Sequence, residues 1–461
     1  MYLAHPIFKP IMGKPQSALL GTESINKLLI SQSVPASIGI LVMSVYMIVD
    51  TIFVGRWVGS LAIAAITVVL PITFLISSVG MAIGVGGGSI ISRALGAGNL
   101  AKAKNTFGNQ ITMVMGLVLL AVIPGYFLDE EILLLFGAQG EIMEPAKEYY
   151  HIILLGVPFL APAMAGNNVI RAQGFPKIAM NIMLVPAISN LILDPIFIYF
   201  LDWGLSGAAW ATTLSYMFSF FYAAYFLAGP KNELKITWQH LKLDKKIVSE
   251  INSLGLVTLA RQGAVSILSI VLNHSLFQHG GEIYISVYGI INRILMFVLF
   301  PVIGLAQGML PIAGYNYGSK DYDRVKEVIK KAIVYASILA VLIFVGILFG
   351  REVLVNVFTN DEALLEITPP AILIVFLVTP FIPVQLIGAA YFQAIGKVKP
   401  ALILTLTRQG LFLIPLVYIL PNYYGITGIW MSFPIADTLS ASVTLIALIR
   451  EIKGLKTKSK I

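Results

Sequence analysis

From Ser33 to Gly59 the chain reads SVPASIGILVMSVYMIVDTIFVGRWVG, an apolar run interrupted by one acid, Asp50. A helix of ~20 apolar residues crosses the hydrocarbon core of a bilayer. Further runs of that kind follow at about 61–91, 106–128, 149–169, 178–200 and 206–228, then at about 252–279, 284–314, 332–350, 367–391, 400–420 and 427–449, with the first at about 33–55. With 57% hydrophobic and 12% charged residues in 461, no ordinary soluble core could absorb so much apolar surface. The expected fold is an all-α polytopic membrane protein of twelve transmembrane helices, because a helix satisfies its own backbone in lipid.

Charge placement tests the number of spans. With the N-terminus cytoplasmic, 25 of the 31 Lys and Arg residues fall on the inner side, from Lys9, Lys14 and Lys27 through Arg93, Lys102 and Lys104 to Lys456, Lys458 and Lys460. Only Arg56, Lys147 and Arg351 fall outside. Basic residues favour cytoplasmic loops, so the count implies an even number of spans with both termini cytoplasmic. The same bias explains the net charge of +8 without nucleic acid as a partner. A missing helix would scramble the alternation. The N-terminus has no short apolar core with a small-residue cleavage site, so the first span is expected to direct insertion.

A shift of 222 residues lays Gly59 on Gly281, Gly86 on Gly308, Gly96 on Gly318, Lys104 on Lys326, Gly174 on Gly396 and Lys177 on Lys399. The coincidence of Gly and Lys at equivalent places implies two parallel six-helix repeats, which in transporters bind substrate between the halves. The expected divisions are a cytoplasmic N-terminal segment over 1–32, an N-lobe over 33–228, a linker over 229–251, a C-lobe over 252–449 and a basic tail over 450–461. Within the linker, Leu243, Ile247 and Ile251 recur at four-residue steps opposite lysines, predicting a short helix on the inner membrane surface.

The chemistry sits in the acids of the first half. An Asp within a span costs roughly 2.5 to 3.5 kcal/mol on insertion scales, so it is expected to hold a proton or a cation. Asn190 and Asp194 are four apart and share a helix face, and the following Pro195 removes a backbone donor. Asp50 and Asp194 fall at matching depth, with Thr212 of span six at the same level and Tyr46 one turn before Asp50. Two carboxylates, an amide and hydroxyls suit a shared proton or a hard cation such as Na⁺. The competing readings are a snorkelling or capping Asp50, and an Asp194 that satisfies the turn loosened by Pro195. Against both, the repeat positions are Leu272 or Asn273 and Pro415 or Leu416, which lack the acid. The second half carries Arg261, Arg293, Arg408 and Asp437 within its spans; Arg408 and Asp437 share a depth and predict a structural ion pair.

Other chemistries find little support. There is no cysteine, hence no disulfide, thiolate metal site or Cys nucleophile, and the five histidines show no metal spacing. No HExxH motif and no Ser/His pair at one depth suggest an enzyme. Gly84, Gly86, Gly87 and Gly88 lack a following Lys-Ser/Thr and read as close helix packing, not a phosphate loop.

In combination and order, GTESINKLLISQSVPASIGILVMSVYMIVDTIFVG, GGGSIISRALGAGN, RAQGFPK and NLILDPIFIYF, with the later echoes AGYNYGSKDYDRVK and FQAIGKVKPA, resemble the multidrug and toxic compound extrusion (MATE) family. The resemblance spans essentially the whole chain. It implies a V of two lobes in a prokaryotic cell membrane, and export of amphipathic, often cationic compounds against H⁺ or Na⁺. It further implies that Asp50, Asn190 and Asp194 form the cation site, to which depth and helix face add Tyr46 and Thr212 as lining candidates. No cofactor beyond the coupling ion is expected, and the expected partners are membrane lipids and small amphipathic substrates, for a chain working as a monomer. The absence of a carboxylate inside spans seven and eight, where another subgroup keeps its acids, argues for coupling in the first lobe. A flippase for a lipid-linked oligosaccharide is the alternative, since the arginines of the second half would suit a basic cavity.

Overall fold

The computed structural model describes residues 15–458, so Lys9, Lys14 and Lys460 lie outside the described residues. Its long helices are α1 (Ile25–Trp57), α2 (Ser60–Gly96), α3 (Leu100–Phe127), α4 (Met143–Ala172), α5 (Pro176–Asp194, continued as a π-helical turn Pro195–Phe200) and α6 (Gly204–Ala228). The second half repeats the order with α7 (Lys245–Gly280), α8 (Glu282–Gly318), α9 (Tyr322–Phe358), α10 (Glu362–Phe376, broken and resumed at Ile382–Ala394), α11 (Val398–Leu406, a π-helical stretch Thr407–Leu413, then Ile414–Ile419) and α12 (Pro421–Lys458, kinked at Gly425). Eleven of these are long and apolar enough to cross a membrane. The other, α6, is 25 residues long and diluted by Gly204, Ser206, Gly207, Thr212, Thr213, Ser215 and Ser219, side chains suited to packing inside a lobe.

The repeat is written in the backbone. Asn99 Oδ1 accepts the Lys102 N–H at 2.9 Å to start α3, and Asp321 Oδ1, 222 residues on, accepts the Arg324 N–H at 3.1 Å to start α9. Gly59 (φ 112°) and Gly281 (φ 79°) turn the chain between the first two helices of each half. A side chain at positive φ would strain the backbone, so glycine recurs at that offset.

Each half's first helix belongs partly to the other half. The start of α1 (Ile25, Leu28, Leu29) joins a buried cluster with Val302, Met309 and Ile312 of α8 and with α9 and α10. Reciprocally, Ile247, Ile251 and Leu254 of α7 join the core of the first lobe. The lobes touch through bare backbone: a Cβ on Gly96 would fall 1.9 Å from the Tyr315 carbonyl oxygen, one on Gly308 2.6 Å from the Ser33 nitrogen, and one on Gly86 2.4 Å from the Ile251 carbonyl oxygen. Polar links sit at the same end. Arg93 and Lys102 both reach Glu250 at 3.0 Å, and Arg324 donates to the Glu23 carbonyl at 2.7 Å. These contacts use the first part of α1 and α7 and the last part of α2 and α8, so the lobes close at this end and splay toward the other as a V.

Two sequence expectations need correction. The amphipathic stretch in the linker is no separate interfacial helix: from Lys245 it is the first turns of α7. Ile247 and Ile251 are buried against the first lobe, while Leu243 precedes the helix and is exposed, so the apolar stripe meets protein instead of lipid. The helices also overrun the expected spans, with α1 starting at Ile25, α7 at Lys245 and α12 reaching Lys458, because polar flanks continue a helix beyond the apolar stretch.

Candidate ion site and substrate chamber

Asp50 projects from α1 and Asp194 from the last turn of α5. Pro195, with no N–H to offer, ends the regular ladder there, and the chain widens into the π-helical turn that runs to Phe200. The two carboxyls meet within hydrogen-bond reach of each other. Asp194 and Asn190 are fully buried and Asp50 is half-buried. Asn190 Nδ2 donates to Asp194 Oδ1 and to Thr212 Oγ1, both at 3.2 Å, and Tyr149 lies beside Thr212. Tyr46 lies near both acids. The structure therefore brings together all five residues singled out in the first half.

The donors do not cover the acceptors. Asp194 Oδ2 and Asn190 Oδ1 are buried without any protein donor. Two facing carboxyls in a low-dielectric site repel unless a proton or a cation lies between them. A bridging proton, or a small hard cation taken by the free oxygens, would satisfy both at once.

Beside this site lies a chamber of about 130 Å³ inside the first lobe, lined by Met43, Met81, Met164, Met183 and Tyr216, and touched by Gln307 of α8. Tyr216 is also close enough to Asp50 to feel its charge, so ion site and chamber adjoin. Methionines are flexible and polarizable, which lets one pocket fit ligands of different shape.

Tyr149 and Tyr216 were not legible as site residues, since a tyrosine in an apolar helix reads as packing. Depth was the available signal for Tyr149, which meets the level of Thr212 once α4 and α6 are set antiparallel; Tyr216 lies one turn further along α6. In the second lobe, Arg408 Nε donates to Asp437 Oδ1 at 2.5 Å and Nη2 to Oδ2 at 3.4 Å, with side chains 8% and 2% exposed. Arg293 is exposed on α8.

The MatE family model matches residues 35–196 and again 259–419, one copy on each lobe. The multidrug export protein MepA of Staphylococcus aureus (strain MRSA252) is 29% identical over 430 residues, covering 93% of this chain and 94% of that protein. MepA of Staphylococcus saprophyticus is 30% identical over 435 residues, covering 93% and 95%. Among solved structures, a MATE in complex with MaD3S superposes with a TM-score of 0.90 at 27% identity, over 96% of this chain and 99% of that one. The outward-facing conformation of a multidrug resistance MATE family transporter of the MOP superfamily gives a TM-score of 0.89 at 27% identity over the same shares.

Proposed function

The chain belongs to the MatE family, and on that premise we propose that it exports amphipathic, often cationic compounds in exchange for H⁺ or Na⁺ by alternating access. The observation that supports this reading is the buried meeting of Asp50 with Asp194, two acids with no basic partner, next to a methionine-lined chamber. The basic, closed end of the V faces the cytoplasm in this reading, and the splayed end faces outward. An ion arriving from outside neutralises the pair, α1 and α5 repack, and the bound compound leaves. The emptied carrier then reverses, releases the ion inward and loads again. The relatives named as multidrug export proteins support small compounds over a lipid-linked oligosaccharide. Because one chain supplies every residue of the site, a monomer suffices.

The test is transport into or out of proteoliposomes with a fluorescent dye cation, under a proton gradient alone and a Na⁺ gradient alone. One gradient should drive dye movement. Movement that ignores both would refute ion-coupled antiport.

A further inference from the structure

A second cavity, of about 60 Å³, lies where the lobes meet, deeper toward the closed end than the methionine chamber. It shares Met81, Asn168 and Gln307 with that chamber, so the two adjoin. Its charge is of the opposite kind. Arg171 from the end of α4 and Arg261 from α7 both line it, one from each lobe, and no Asp or Glu does.

Neither cation is neutralised. Arg171 is 4% exposed, and its one side-chain bond is from Nη2 to Asn167 Oδ1 at 3.3 Å; Nε and Nη1 have no acceptor. Arg261 is half-buried and, among the described residues, makes no hydrogen bond or ion pair. Arg171 ends a helix, where the carbonyls of the last turn favour a cation. Arg261 lies in mid-helix and has no such help. A guanidinium inside a membrane protein ordinarily finds a carboxylate, as Arg408 does with Asp437, or it marks a ligand path. The cavity also offers the amide of Gln307, which has no side-chain hydrogen bond among the described residues.

We propose that this cavity takes the carboxylate of an amphipathic compound whose apolar body lies in the methionine chamber. The substrates then include zwitterionic and acidic amphiphiles besides cations. The inference rests on the export reading for its context, but equilibrium binding tests it without any gradient. Because the two arginines come from opposite lobes, an acid held between them also ties its own binding to closure of this end.

The experiment measures binding of dansyl-phenylalanine and of its methyl ester to the full-length protein in detergent free of anionic lipid. The acid should bind about tenfold or more tightly than the ester, the worth of a charge-assisted hydrogen bond to guanidinium. Arg261→Gln should bring acid and ester level, and Arg261→Lys should restore part of the preference. Because Arg171 is buried, Arg171→Lys is the milder companion and should weaken the preference. Equal binding of acid and ester to the unaltered protein, or an unchanged ratio in Arg261→Gln, would overturn the proposal. So would displacement of the acid by phosphatidylglycerol alone, which would assign the cavity to a lipid headgroup. Loss of gradient-driven dye movement with the acid preference intact would count against antiport and leave this binding site standing.

Discussion

The two lobes treat buried charge in opposite ways. In the second, Arg408 and Asp437 lie against each other and cancel, with the π-helical stretch of α11 presenting the guanidinium. In the first, Asp50 and Asp194 face each other with no cation of the protein's own, beside the π-helical turn that follows α5. Both halves carry a widened turn in the equivalent helix and use it differently. A neutralised pair holds α11 to α12 whatever the surroundings contain. An unneutralised pair reads the surroundings, because its energy depends on whether a proton or cation is present. On the proposed antiport reading, a duplicated scaffold keeps one half as a support and turns the other into a sensor of the ion gradient.

The largest effect should come from removing the sensor. Asp50→Asn is expected to reduce ion-driven dye movement in proteoliposomes to that of empty vesicles while the purified protein keeps its unfolding midpoint; normal driven transport would erase the contrast between lobes. Next comes the support. Asp437→Leu should destabilise by about 3 to 5 kcal/mol by stranding Arg408, and adding Arg408→Met should recover most of that loss, both read by unfolding in detergent. The same measurement on Asp194→Asn should show no comparable loss, since it removes a charge that had no basic partner and keeps an oxygen for Asn190.

A smaller effect belongs to the closed end. Glu250 is partly exposed and accepts from Arg93 and Lys102, so Glu250→Gln should cost only about 0.2 to 1 kcal/mol per pair. Its readout is labelling of a cysteine placed at Ser92, which should rise as the closed end loosens. Smallest is a pH effect at the splayed end of the first lobe, where the acids are partnered. Burial raises the Asp129 carboxyl, but the Glu130 backbone N–H, His151 and Lys147 outweigh it and hold the group below the usual carboxylate range. With the folded value depressed, the contribution is complete above the unfolded value near ~3.9 and is lost as pH falls through the folded one. Asp129→Asn should therefore flatten the acid limb of the unfolding midpoint below about pH 4.

How much could be read beforehand follows from what each residue does to its neighbours in sequence. Asp50 was visible because one acid in a long apolar run violates the cost of burying charge, and Asn190 with Asp194 because four-residue spacing fixes a shared face. Glycines and lysines 222 residues apart betrayed the repeat, since turns and inner loops admit few residue types. Tyr149, Tyr216 and Arg171 were hidden as site residues, because their importance depends on which helix faces which, and apolar helices carry no period that tells lipid from protein. The start of α7 was misread for the same cause: an amphipathic stripe looks alike whether it meets a membrane surface or another lobe.

The exchange of α1 and α7 between lobes bears on biogenesis. While the ribosome has delivered only the first six helices, Ile25, Leu28 and Leu29 lack the α8 face they are built to meet, and Gly86 and Gly96 lack the chain that will lie across them. The first half is thus an unfinished object until the second emerges, and severed halves should survive only when made together.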